Sequence, residues 1–201
     1  MTDPKADLLS YLQSARDYLQ SARDALLWKL DGLSEYDIRR PVTPTGTNLL
    51  GLVKHLTGVE IGYFGDTFDR PVENLPLWFT DDADANVDMW ATADESREFI
   101  VGQYRQAWSH SDATIQALPL EAPGRIPRWP EERRDVTLHR ILVHVIAETH
   151  RHPGHADIVR ELVDGTVGLR ADNDNMPAED RTWWDNYRNK LERAAREADP
   201  S

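Results

Sequence analysis

The residues with chemical potential in this chain cluster in one segment, LHRILVHVIAETHRHPGHADIVRELVDG, at positions 138–165. Its apolar series Leu138, Ile141, Val145 is interrupted by Glu148, His152 and His155 before Val159 and Leu162 resume it. At about 100° per residue, His144, Glu148, His152 and His155 lie within an arc of roughly 80°, while His150 falls about 200° from Glu148 and should point elsewhere. Residues four apart stand one above the other on a helix. Glu148 and His152 can therefore clasp one ion from the same side, as paired ligands on a single helix do in HExxH-type sites.

A third ligand must come from another element, and His55 is the natural candidate: it stands between Leu52 and Val59 in LVKHLTGVE and is the only histidine before position 110. Two imidazoles and a carboxylate would hold a divalent metal and leave at least one position open for water or substrate. Zn or Ni is the expected ion in a purified sample, because both stand high in the affinity order of divalent metals. A structural reading competes with this one. A histidine on an apolar face commonly donates to a backbone carbonyl, and Glu148 could pair with an arginine. Burying a carboxylate with two imidazoles costs several kcal/mol unless something compensates, and a cation compensates well. His155 is an alternative to Glu148, since its three-residue step from His152 also permits clasping. Asp157 and Arg160 follow; Asp157 could orient a ligand, and a solvated ion pair is the other role open to both.

These side chains need helices to position them. Leu8, Leu12, Ala15, Leu19, Ala22, Leu26 and Leu30 recur at three- and four-residue steps, predicting a first helix over about 6–31. It contains a tandem repeat, YLQSARD at Tyr11–Asp17 and again at Tyr18–Asp24. Seven residues are close to two turns, so the unit lengthens a helix while rotating its apolar face by only about 20°. DIRRPVTPTGT cannot continue a helix, and a second is predicted over about 47–65. Residues 65–93 read as a long acidic surface connection with room for short helical turns. A third helix follows over about 93–118, with Asp94 or Glu95 supplying negative charge near its start. Four prolines, at 119, 123, 127 and 130, precede Thr137, the expected N-cap of a fourth helix over about 137–164. Pro153 should kink or locally widen that helix and could re-aim His155. A peripheral C-terminal helix is expected over about 181–197, and no strand of convincing length is evident. The fold class is all-α, a four-helix bundle forming one domain over 1–201, in which ligand sites are built from the inward side chains of facing helices.

Composition narrows the partners. Lys and Arg total 23 against 35 Asp and Glu, a net charge of −12, which disfavours nucleic acid and anionic membrane. There is no cysteine, so a disulfide, a thiolate metal site and a cysteine nucleophile are excluded. No stretch approaches the roughly 18 apolar residues of a membrane span, and the N-terminus has no apolar h-region, so a cytoplasmic address is expected. Glycine-rich phosphate loops, GxSxG elbows and zinc-finger spacings are missing. Most of the seven tryptophans are expected in the core, with the adjacent Trp183 and Trp184 lining a pocket or capping the bundle as the alternative.

The segments LLGLVKHLTGVEIGYFGDTF and LHRILVHVIAETHRHPGHADIVRELVDG together resemble the DinB/YfiT-like superfamily, in its actinobacterial branch, over most of the chain. In that superfamily the second helix carries a ligand histidine. The fourth carries a ligand four residues ahead of a histidine followed by x-G-[QH]. The resemblance thus implies His55, Glu148 and His152 as ligands, with His155 in the Gln/His place and Pro153 as a departure. It also implies up-down-down-up helix order and a homodimer. Three-histidine members carry His where this chain has Glu148; the Glu form is similar to mycothiol-dependent maleylpyruvate isomerases. Two functions follow as expectations. One is a metal-dependent S-transferase or isomerase that activates a low-molecular-weight thiol, mycothiol by the resemblance, against a small electrophile. The other is a non-catalytic, dimeric, stress-linked binding protein with a vestigial or adventitious metal pocket.

Overall fold

The structure, a computed structural model, describes residues 4–80 and 82–199, with side chains from Ser10 onward. Leu8 of the predicted first stripe lies outside the described side chains. The described residues are mostly helical: α1 (Pro4–Trp28), α2 (Glu35–Arg39), α3 (Leu49–Phe64), α4 (Arg97–Ala117), α5 (Leu138–Asp164) and α6 (Arg181–Glu197). Strands β1 (Pro123–Arg125) and β2 (Asp135–Thr137) form a small antiparallel hairpin, with Gly124 opposite Val136.

α3 occupies the centre because it is apolar on every side. It packs against both α4 and α5, while α1 lies along α5, and all four contribute to one buried apolar cluster. Every residue of α3 is buried except His55. The two charged residues buried in α3 are each neutralised by a partner brought from elsewhere, as burial demands. Lys54 Nζ donates to Glu95 Oε2 at 2.8 Å and to the Trp90 carbonyl at 3.0 Å. Glu60 accepts two hydrogen bonds from Arg23 of α1, at 2.7 and 2.6 Å, and Arg23 also reaches Asp112 of α4 at 3.0 Å.

The tandem repeat lies on α1 with both copies in helical register. Gln13 bonds Asp17 and Gln20 bonds Asp24 in the same way, and Ala15 and Ala22 are both buried. The copies differ in depth: Arg16 stays partly exposed, whereas Arg23 is buried against Glu60.

The ends of the predicted helices are set by caps. Asn48 Oδ1 accepts from the Gly51 amide at the start of α3, and the Thr137 side chain accepts from the Arg140 amide at the start of α5. α5 runs unbroken through Pro153 to Gly165, whose φ of 79° is the left-handed conformation a helix-ending glycine supplies.

Several expectations are corrected. α4 begins at Arg97, not near residue 93, because Ser96 caps it; Glu98 supplies the acidic first turn, and Glu95 turns instead to Lys54 and the Thr92 amide. α2 occupies the start of DIRRPVTPTGT, capped by Ser34 and ending just before Pro41. The β1–β2 hairpin was not anticipated, since three-residue strands are too short to show an alternating pattern. None of the seven tryptophans is buried. Their bulk leaves them at part-exposed positions such as Trp108 and Trp129, packed on the outside of the core.

Candidate metal centre

His55 of α3 and Glu148 and His152 of α5 converge. Each offers one ligand-type atom, and these atoms lie within 4.8 Å of one another. The helices supply this arrangement directly. α3 and α5 pack side by side, His55 is the one partly exposed residue of α3, and Glu148 stands one turn before His152 on the facing side of α5. The His55 and His152 rings meet edge to face, with centroids 4.7 Å apart.

The tautomers are set by carboxylates. Asp88 Oδ2 lies 2.6 Å from His55 Nδ1, so Nδ1–H donates to the Asp88 carboxylate and Nε2 is the ring nitrogen left for a ligand bond. His152 Nε2 lies 3.1 Å from Glu148 Oε1, and its Nδ1 is buried with no hydrogen-bond partner. Burial, followed by the nearby His55, holds the His152 imidazole below its usual range, against the opposing pull of Glu148. Asp88 is likewise held below the usual carboxylate range, first by the hydrogen bond from His55. The result is a cluster of two imidazoles and a carboxylate with one orphaned buried nitrogen. Two imidazoles and a carboxylate at this separation fit a divalent cation.

The remaining candidates lie outside the converging group. His155 meets the His152 ring edge to face, with centroids 5.3 Å apart. Asp157 turns to the end of α1, where it pairs at 2.6 Å with Lys29 in the turn that follows the helix. Lys29 is fully buried and also donates to the Gly168 carbonyl, while the Asp157 side chain is 41% exposed, so the ion pair expected from sequence is solvated at its acidic end alone. Arg160 is also buried, bonding Asp164 and the carbonyls of Lys29 and Asp31. His150 points to α1, with Nε2 3.1 Å from the Tyr18 carbonyl. His144 packs edge-on against Tyr63 and Trp129, and burial holds it below its usual range despite the charge of Glu148.

Beside the group opens a cleft of about 710 Å³, lined by His55 and Glu148 at one end and walled by Tyr63, Trp78 and Phe79. The connection 65–96 builds much of it. This segment is not only the surface link that its acidity suggested: it carries turns at Asp66–Phe68 and Val87–Met89, and the second delivers Asp88 to His55. Glycines of α3 make the approach possible. A Cβ on Gly51 would collide with the Met89 carbonyl oxygen, and one on Gly58 would stand 3.3 Å from the Trp78 ring.

A family model for mycothiol-S-transferase matches residues 14–165. The chain belongs to that family, which is DinB/YfiT-like. The mycothiol-S-transferase match takes in His55, Asp88, Glu148 and His152 and leaves α6 outside it. No curated protein and no solved structure matches the chain.

Asp88 was missed because nothing in an acidic, aperiodic loop distinguishes one aspartate from its neighbours. The available signal was on α3: Gly51, Gly58 and Gly62 recur at helical spacing in an otherwise bulky apolar helix, which calls for another segment in close contact.

Proposed function

We propose that the chain is a metal-dependent thiol S-transferase, with His55, Glu148 and His152 as the ligands of a divalent ion and mycothiol as the thiol. The observation that carries this reading is the convergence of three ligand-type atoms within 4.8 Å at the mouth of an aromatic cleft. A divalent ion bound there would lower the pKa of a thiol and hold it as the thiolate, the nucleophilic form.

The residues of the chain supply the rest. Asp88 fixes the His55 ring through Nδ1, so that Nε2 is presented to the centre. Glu148 offsets part of the positive charge. Tyr63, Trp78 and Phe79 exclude water from the side on which an electrophile would approach. We further propose one up-down-down-up four-helix-bundle domain acting as a homodimer, as the resemblance implies. The setting we propose is the cytoplasm, where low-molecular-weight thiols are kept reduced.

The test is to purify the untagged protein, quantify Zn and Ni per chain, and repeat with His55→Ala and His152→Ala. One ion per chain in wild type, lost in both variants together with thiol consumption, supports the enzyme. Substoichiometric metal that is unchanged in the variants would leave the non-catalytic binding protein as the better reading.

A further inference from the structure

The proposed reaction gives no role to Arg128 of the cleft lining. Arg128 is the only cationic side chain among the described residues of the cleft wall, where Asp66, Asp84, Asp88 and Glu148 also stand. It forms no ion pair or hydrogen bond with the described residues. Its guanidinium carbon lies 4.8 Å from the centroid of Tyr63, and its Nη1 and Nη2 lie 3.3 and 3.6 Å from where a Gly62 Cβ would stand. The hairpin holds it there: Gly124 of β1 sits so close to Thr67 and Phe68 that a Cβ would collide with both. A guanidinium stacked on a ring keeps its N–H edges free, and that edge matches a carboxylate with two parallel hydrogen bonds.

From the geometry of this cleft we infer that the electrophile is a planar carboxylate, aryl or conjugated, whose carboxylate is bound by Arg128. This inference rests on the S-transferase reading and names its substrate class. Three observations support it. Asp88 and Glu148 are engaged by His55 and His152, and Arg128 makes no ion pair with any described carboxylate, Asp66 and Asp84 of the same wall included, so its guanidinium is open to an anionic ligand. The space between is walled by Tyr63, Trp78 and Phe79, with Gly58 adding no side chain to it, a slot suited to a flat apolar body. Finally, Gly62 follows His55 by two turns on α3, a rise of about 10 Å. That span accommodates a single ring with a reactive carbon at one end and a carboxylate at the other.

In the reaction the thiol sulfur forms a bond to the electrophilic carbon, the leaving group departs with its bonding pair, and the thiol proton passes to solvent. The probes are 4-(chloromethyl)benzoate, its carboxamide and its aminomethyl analogue, with chloride as the leaving group and mycothiol as the thiol. Binding is read separately from the quenching of tryptophan fluorescence by unreactive 4-methylbenzoate and 4-methylbenzamide, using metal-stripped protein. Wild type should prefer the carboxylate over the carboxamide by tenfold or more in kcat/KM. That preference should fall close to unity in Arg128→Met and to an intermediate value in Arg128→Lys, which keeps the charge and loses the fork. The binding preference should fall in parallel.

Arg128 is exposed, so unchanged thermal melting would show that both variants are folded. Turnover with equal rates for carboxylate and carboxamide, or a preference for the aminomethyl compound directed by Asp66 and Asp84, would overturn the inference and leave the transferase intact. Arg128-dependent binding of 4-methylbenzoate without turnover of any probe would do the reverse.

Discussion

Asp88 Oδ2 stands 2.6 Å from His55 Nδ1, joining a loop residue to the one partly exposed side chain of the central helix. A carboxylate there fixes the ring and strengthens the opposite nitrogen as a donor. Asp88→Asn keeps the size and removes the charge. We expect it to weaken Zn affinity by roughly 10- to 100-fold, measured by competition with a chromogenic chelator, with the helical circular dichroism unchanged. An affinity equal to wild type would mean that Asp88 does not support the ligand.

The loop reaches His55 only because α3 has no side chain at position 51. Gly51→Ala puts a methyl group into the Met89 carbonyl oxygen and must displace the turn that carries Asp88, lowering both stability and metal affinity. Gly102→Ala on α4 is the control, since nothing lies within 4 Å of the added Cβ. It should stabilise by about 0.5–1 kcal/mol, the difference in helix propensity. Urea unfolding of the two variants checks the opposite signs.

Arg23 and Glu60 are both almost fully buried and joined by two hydrogen bonds between α1 and α3. Removing Glu60 leaves the buried Arg23 guanidinium with only the one-third exposed Asp112 as counter-charge. Glu60→Ala should cost about 3–5 kcal/mol, read from the urea midpoint. Asp112→Ala should cost clearly less, because Asp112 is about one-third exposed and Glu60 remains in place.

Acid sensitivity has a contribution from Asp164. Burial alone would raise its carboxyl, but hydrogen bonds from Arg160 and from the Thr166 amide outweigh it and hold the group below the usual carboxylate range. A depressed folded pKa adds stability that is present above the unfolded value, about 3.9, and is lost as pH falls through the lower folded value. Asp164→Asn should therefore be less stable than wild type at pH 7, and the gap should narrow as pH drops below about 4. Urea titrations at several pH values test this; a gap independent of pH would refute it.

The helices and their inward faces were legible in the sequence because helical periodicity is local. The stripe from Leu12 to Leu26, the cap at Thr137 and the end of the fourth helix near Gly165 each depend on neighbours a few residues away. So did the pairing of Glu148 with His152, a matter of one helical turn, and the choice of His55 followed from its being the only histidine in the first half of the chain. The rest depended on contacts between distant segments. Whether Glu148 or His155 would join His55 and His152 was a question of helix packing, and the structure brings Glu148 to them. Asp88 met His55, Arg128 met Tyr63 and Arg23 met Glu60 through approaches set by glycines, hairpin pairing and buried charge. Loops have no period, so their side chains find a place only once the surfaces they cross have formed.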